Sequence, residues 1–331
     1  MKKFMAFLFA FFLFCHIGIS QSITEILIPI KLSENLYAIE NSHGGNIAFL
    51  VTDEGIVVVD AGSTPGNGKQ IVTAIQSVSD KPIKYLVYTH LHGDHINGIS
   101  SFPRDVIIIA QDNLVENFRT ITEPSLKNNV ENVFPQYING LVSQMDSISD
   151  KTSDEYEKIS QQLNMYNAYF QELKKVQVCY PDTTFTEKFE INLGNEKVIL
   201  EFPGNGHTND NIIVWFPKHN AIHTGDLIFN GSVPYVIASH GATVKGWISI
   251  VDKLYTGKFK YVIPGHGSIT NNEAFKIQAD YFKNLTEKVK EHKSHGLSLE
   301  DIKNKISFNE INLSDEGNQF PVNIEVVYNE L

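Results

Sequence analysis

The apolar and polar positions fall into three regimes along the chain. Residues 23–62 read as short strands separated by turn residues. Leu36 to Glu40 is one strand. Asn46 to Thr52 and Ile56 to Val59 form a hairpin across Asp53-Glu54-Gly55. Ile56-Val57-Val58-Val59 is apolar without a break, as in a strand buried on both faces, and it ends in Asp60-Ala61-Gly62. Thr64-Pro65 opens a helix over about 66–79, with Ile71, Ala74, Ile75 and Val78 on one face. Strands are predicted again at 83–89 and 106–110. Residues 112–178 then lose their β-branched runs. Val130, Phe134, Tyr137, Ile138, Leu141 and Met145 recur at helical spacing, as do Tyr156, Ile159, Leu163, Tyr166, Tyr169, Phe170 and Leu173. This predicts a helical insertion of two or three helices whose aromatic stripe serves packing. Strands return over 185–202, with a turn at Gly194-Asn195, and then at 212–216, 221–224 and 260–263. Helices are predicted at 244–254, from 272 to about 293, and at 299–306 with Ser298 as N-cap.

The order of elements makes this an α/β protein, and one short echo suggests two halves. Lys84-Tyr85-Leu86-Val87 and Lys260-Tyr261-Val262-Ile263 are alike, and a His follows each Lys by six positions. Ile56 to Asp60 and Ala221 to Asp226 are both short, mainly apolar runs ending in Asp near a Gly. Two β-rich halves packed face to face, with loops from both lining one cleft, would produce such a pattern.

The N-terminus stands apart. Lys2-Lys3 precedes an unbroken apolar run from Phe4 to Cys15, and Gly18-Ile19-Ser20 offers small residues for cleavage. Residues 1–20 therefore read as a secretory signal peptide, too short for a membrane span, and the expected location is periplasmic or secreted. Residues 21–331 then form one domain, with 112–178 as insertion and 272–331 as a C-terminal helical segment. Of the 331 residues 42% are hydrophobic and 20% charged, enough for a full core. The formal charge of −11 falls to −13 once Lys2 and Lys3 are removed. Such an acidic chain argues against nucleic acid or an anionic membrane as partner and leaves a small molecule. Cys179 alone remains after cleavage, so no internal disulfide forms; its setting, Val176 to Tyr180, reads as a half-buried strand.

The chemistry concentrates in Thr89-His90-Leu91-His92-Gly93-Asp94-His95. Three imidazoles and a carboxylate lie within six residues of a loop that a buried strand holds at its start. In an extended backbone His90 and His92 point to one side, while Asp94 and His95 follow the Gly93 bend and reach a second point. Imidazole with carboxylate suits Zn first, then Fe or Mn. His207 lies in the Gly-rich stretch Pro203 to Asn211, Asp226 follows Gly225, and His266 sits in Pro264-Gly265-His266-Gly267. These seven residues can serve two zinc ions: three His on one, two His and an Asp on the other, and a bridging carboxylate, with positions left open for water.

Together these motifs resemble the metallo-β-lactamase superfamily: His-x-His-x-Asp-His, then Gly-His-Thr, Gly-Asp and Pro-Gly-His-Gly, preceded by Val-Asp-Ala-Gly at 59–62. The likeness covers 36 to about 270. It implies a four-layer αβ/βα sandwich with metals at one edge between the sheets. It further implies that His90, His92 and His207 bind the first zinc, that Asp94, His95 and His266 bind the second, and that Asp226 bridges. Asp60 would steady the metal loop from behind. The implied reaction is hydrolysis, in which a metal-bridging hydroxide attacks the carbonyl of a lactam, lactone, ester or thioester and Asp94 orients the nucleophile or takes its proton.

Substrate class is less sharply written. Residues 204–217 resemble the same stretch of class B β-lactamases that use a Cys ligand. Here Asp226 replaces that Cys, Phe229 replaces the Lys that grips the drug carboxylate, and His95 stands where those enzymes have a non-ligand. The Asp-bridged pattern resembles glyoxalase II and lactonases, although the Gly-His-Thr-x-Gly-His form is absent. Zinc hydrolases of quinoprotein systems also look similar, including Asn323 to Leu331 at the C-terminus. His43, on a hairpin loop flanking the cleft, reads first as a surface-loop His and second as a substrate contact, and Tyr235, nine residues after Asp226, is a second candidate contact. His219 and His240 read as solvated. The alternatives are a true class B β-lactamase, an iron persulfide dioxygenase on the same fold, and a non-catalytic metal-binding protein. The diiron electron-transfer members usually carry Glu where this chain has His92.

Overall fold

A computed structural model describes residues 26–41, 43–308 and 311–331. The leader expected over 1–20 lies outside the described residues. Twelve strands among these form two sheets. β1 (Ile30–Lys31), β2 (Leu36–Ile39), β3 (Ile47–Val51), β4 (Ile56–Val59), β5 (Ile83–Val87), β6 (Ile107–Gln111) and β7 (Thr183–Phe185) lie side by side in that order. The first four run antiparallel, and β4 to β7 are parallel. The second sheet has the order β12 (Tyr261–Ile263), β11 (Ala221–His223), β10 (Ile213–Phe216), β9 (Glu196–Glu201), β8 (Lys188–Leu193), with only β11 and β12 parallel.

The sheets pack face to face. Leu50, Val57, Val59 and Val87 from the first meet Leu200, Val214, Phe216 and Ile263 from the second. The opposite face of β4, Ile56 and Val58, packs with Ile71, Ala74 and Ile75 of α1 (Pro65–Gln76). That is why β4 is apolar at every position: each face meets a different layer.

The remaining helices divide between the two outer faces. α2 (Gly93–Ile96) is a single turn inside the metal loop, where the sequence reads as irregular; His92 stands extended at its N-cap position, so the bend expected at Gly93 is a helix start. Between β6 and β7 run α3 (Asn113–Asn117), α4 (Glu123–Asn128), α5 (Phe134–Ser147) and α6 (Asp154–Leu173). α6 leans on α1, where Gly66 N–H donates to Glu172 Oε2 at 2.8 Å. On the second sheet α7 (Val244–Tyr255), α8 (Glu273–Ser294), α9 (Leu299–Lys305) and α10 (Phe320–Glu330) share a core around Trp247, Phe275, Phe282, Ile302 and Ile324. Ser298 caps α9 in a reciprocal capping box with Asp301. The result is helix, sheet, sheet, helix, as the sequence led us to expect. No helix among the described residues is long and apolar enough to cross a membrane.

Strand direction positions the site. The parallel pair β4 and β5 end at the same edge, as do β11 and β12; β9 runs with β11 because both are antiparallel to β10. Asp60, His90, His207, Asp226 and His266 all follow the C-terminal ends of these five strands. Asn46 ties the sheets together there. Its amide donates to Pro264 O at 3.0 Å and Gly267 O at 2.7 Å, its N–H to Gly265 O at 2.8 Å, and its carbonyl meets His223 Nε2 at 3.0 Å.

Two substitutions check this layering. Leu200→Ala, between the sheets, is expected to cost about 2–5 kcal/mol in denaturant unfolding with the slope unchanged. Ile277→Ala, on the exposed face of α8, is expected to stay within about 0.5 kcal/mol.

Candidate metal centre

Each functional side chain is delivered by backbone that its neighbours lock. Ala61 N–H bonds His95 O at 2.6 Å and Gly98 N–H bonds Gly62 O at 3.0 Å, pinning the metal loop to the end of β4. Gly45 N–H bonds Asp94 O at 3.1 Å, and a Cβ on Gly45 would collide with the His95 ring. Asp60 has φ +67°, a left-handed conformation costly for a non-glycine residue. Its carboxylate accepts Thr89 N–H at 2.8 Å, the Thr89 hydroxyl at 2.9 Å and His95 Nδ1–H at 2.7 Å. Asp60 therefore holds the loop at both ends.

The structure brings the seven residues singled out by sequence into two adjoining groups. His90, His92, His207 and Asp226 form one and Asp94, His95 and His266 the other, with the ligand-type atoms of each within 4.8 Å of one another. Asp226 faces both: Oδ2 is 3.4 Å from His207 Nε2 and 3.4 Å from His266 Nε2, while Oδ1 is 3.1 Å from His95 Nε2. Asp94 Oδ2 lies 3.2 Å from His266 Nε2 and 3.4 Å from His95 Nε2.

Partners on the far side fix which nitrogen carries the proton in two of the three rings. The Thr89 hydroxyl, itself donating to Asp60, takes His90 Nδ1–H at 3.0 Å. The Tyr235 carbonyl takes His207 Nδ1–H at 3.0 Å. His92 Nε2 and His240 Nδ1 share a hydrogen bond of 2.8 Å. His90 Nε2 and His207 Nε2 then present lone pairs beside His92 Nδ1, which lies 3.0 and 2.9 Å from them. Outer partners of this kind commonly orient metal-bound imidazoles.

Burial and charge together set the protonation of these groups. Burial, with neighbouring imidazoles, pushes His90 and His92 well below the ordinary histidine range, and burial pushes His207 to about 4, so all three present lone pairs. Burial opposes ionisation of Asp226, but His266, His95, His90 and His207 hold its carboxyl well below the usual carboxylate range. Burial also lowers His266, yet Asp226 and Asp94 outweigh it and raise this group to about 9. His95 is raised for the same reason. Both Asp226 oxygens, Asp94 Oδ2 and His95 Nε2 are buried without a hydrogen-bond partner. Converging lone pairs and buried carboxylate oxygens of this kind fit divalent cations. Side-chain exposure of 14% at Asp94 and 20% at His266 marks the open edge, while Asp226 and His207 are fully buried.

His43 is half-buried on the hairpin loop packed against Asp94 and His95; its N–H bonds Asn41 Oδ1. The Tyr235 ring lies 5.8 Å from that of Phe229 and against Gly317, and its direct link to the centre is its backbone carbonyl. Phe229 stacks on His266 at 5.1 Å. Two sequence expectations need correction. His240 is buried and bonded to His92, and His219 is buried between Ser33 and Glu196. Neither has a local signature, since 92 and 240 meet only in the fold. Cys179 is half-buried, but in an irregular segment rather than a strand.

Comparison with known proteins follows this geometry. The family model of the metallo-beta-lactamase superfamily matches residues 42–109 and 148–266. A linear primary-alkylsulfatase of Pseudomonas sp. (strain ATCC 19151) is 24% identical over 212 residues, 61% of this chain but only 37% of that protein. The chain thus spans little more than a third of that relative's length. A solved metallo-beta-lactamase from Pontibacter korlensis superimposes with TM-score 0.56 at 19% identity, covering 78% of this chain and 99% of that one. A stereoselective inverting sec-alkylsulfatase from Pseudomonas sp. reaches TM-score 0.63 at 16% identity over 92% of this chain and 50% of that one. The sulfatase fold therefore extends over more of this chain than the lactamase fold does.

Two measurements test the centre. Asp60→Asn is expected to weaken zinc binding about 10–100-fold in a competition titration while the protein stays folded. Zinc titrated calorimetrically in buffers of different ionisation enthalpy is expected to release protons at neutral pH, because the cation displaces those held by His95 and His266; His266→Gln should reduce the release.

Proposed function

This chain belongs to the metallo-β-lactamase superfamily, and on that premise we propose that it is a two-zinc hydrolase acting on a lactam, lactone, ester or thioester. The observation that carries the reading is the pair of donor groups sharing Asp226, with an open edge at Asp94 and His266. His90, His92 and His207 would hold one ion, Asp94, His95 and His266 the other, and Asp226 would touch both. Zinc held there would make hydroxide available at neutral pH and polarise the substrate carbonyl.

The chain's own residues do the rest. Asp94, partly exposed, orients the attacking water and can take its proton. Water oxygen bonds to the acyl carbon, the C–O, C–N or C–S bond breaks, and the proton passes to the leaving group. The buried rings of His90 and His207 and the stacked pair Phe229 and His266 keep bulk water from the inner side. Phe229 offers no cation to a drug carboxylate, so penicillins are expected to be turned over slowly or not at all. The apolar N-terminal run supports delivery to the periplasm or the medium. A sulfate-ester substrate is the second reading, favoured by the fold shared with the sec-alkylsulfatase over 92% of the chain.

Elemental analysis of the purified protein, beside turnover of a chromogenic cephalosporin, a lactone, an ester, a thioester and an alkyl sulfate, tests both readings. Two zinc ions per chain with ester, lactone or thioester turnover is the expected result. Rapid carbapenem hydrolysis would make it a true β-lactamase. Sulfate release alone would favour the second reading, and one iron with oxygen uptake would end the hydrolytic mechanism.

A further inference from the structure

A cavity of about 120 Å³ adjoins the donor groups. His92, Gly93 and Asp94 form its polar end, with His240 beside them. The rest of the wall is largely apolar, with Leu91, Ile121, Leu126, Phe134, Leu173 and Ile237 contributing most of it, joined by the rings of Tyr166 and Tyr169. No Lys, Arg or Glu lines it, and its one carboxylate, Asp94, belongs to the metal end.

The helices over it are built irregularly. Two five-residue π-helical turns, Phe118–Thr122 and Asn129–Val133, flank α4. The first supplies Ile121 and Thr122 to the lining and the second Asn129. The Thr122 hydroxyl donates to Leu91 O at 3.1 Å, tying the helical roof to the metal loop. Wide turns of this kind are frequent at functional sites. The aromatic stripe expected to serve packing therefore does two things: Phe134 and Tyr166 pack on each other at 6.3 Å and also wall the cavity.

We propose that this chamber binds an uncharged hydrophobic tail on the acyl side of the substrate, placing the hydrolysable carbonyl at the edge marked by Asp94 and His266. The proposal rests on the hydrolase reading only for that last placement. A dry apolar cavity of roughly 150 Å³ accepts a benzene ring, so this chamber suits a tail of about six carbons. A charged tail terminus would find no partner in the apolar wall and would be disfavoured.

The test uses zinc-loaded protein and p-nitrophenyl esters from acetyl to dodecanoyl. We expect kcat/KM to rise about fourfold per methylene up to about six carbons and then level or fall. Leu126→Trp, which fills the chamber, should lower the hexanoyl-to-acetyl ratio about tenfold or more, and Leu126→Ala should move the optimum to longer chains. Binding of 1-hexanol to metal-free protein, followed by calorimetry, gives a readout independent of catalysis; it should saturate and weaken in Leu126→Trp. A flat chain-length profile, or no saturable hexanol binding, would overturn the chamber while acetyl ester turnover kept the hydrolase reading. Hexanol binding sensitive to Leu126 without hydrolysis of any ester would keep the chamber and remove the hydrolase reading.

Discussion

Nitrogen lone pairs and carboxylate oxygens facing one another in a largely buried space are the constraint on which the rest of this structure depends. Such an arrangement is unfavourable unless cations or protons stand between the acceptors. Without a cation, His95 and His266 answer it with protons, while His90, His92 and His207 answer it by staying neutral. The fold accepts the cost because the donors sit after strand ends, or on the short turn α2, that other forces already fix. The core between the sheets, from Val57 and Leu50 to Leu200 and Val214, is indifferent to what happens at the edge.

Two residues outside the donor set transmit that rigidity. Asp60 receives three hydrogen bonds and keeps a left-handed backbone to do so, a strain tolerated where the surroundings over-determine the conformation. Asn46 does the corresponding work across the two halves, holding the Pro264–Gly267 turn against the first sheet. Neither half is complete alone, since His266 and Asp226 come from one and Asp94 and His95 from the other.

Much of this was legible in the chain. The unbroken apolar run at 56–59 marked the strand that touches both layers, and the helical spacing through 130–173 marked the helices between β6 and β7. The short echo between 84–87 and 260–263 corresponds to β5 and β12, the strands that lead to His90 and His266. The seven donor-type residues could be picked out because four of them crowd into His90 to His95 and the other three, His207, Asp226 and His266, each stand beside a glycine. What stayed hidden depends on contacts distant in sequence. The bond from His92 to His240 spans 148 positions, and no local pattern distinguishes that histidine from a solvated one. Helical periodicity likewise showed that Phe134 and Tyr166 face inward, but not that the space between them stays partly open. The single helical turn at 93–96 escaped because glycine and aspartate suggest irregular backbone, yet aspartate also favours the start of a helix.

The hairpin glycines carry a consequence for how such a protein can diversify. Gly45 presses against the His95 ring and Gly44 against the Asp94 carbonyl, so a side chain at either point would displace the centre. That rim is closed to variation. The opposite rim, supplied by helices spliced between two adjacent parallel strands, contributes none of the seven donor residues. Selection can therefore reshape the wall of the cleft by rewriting one contiguous segment, while the seven donor residues stay as they are.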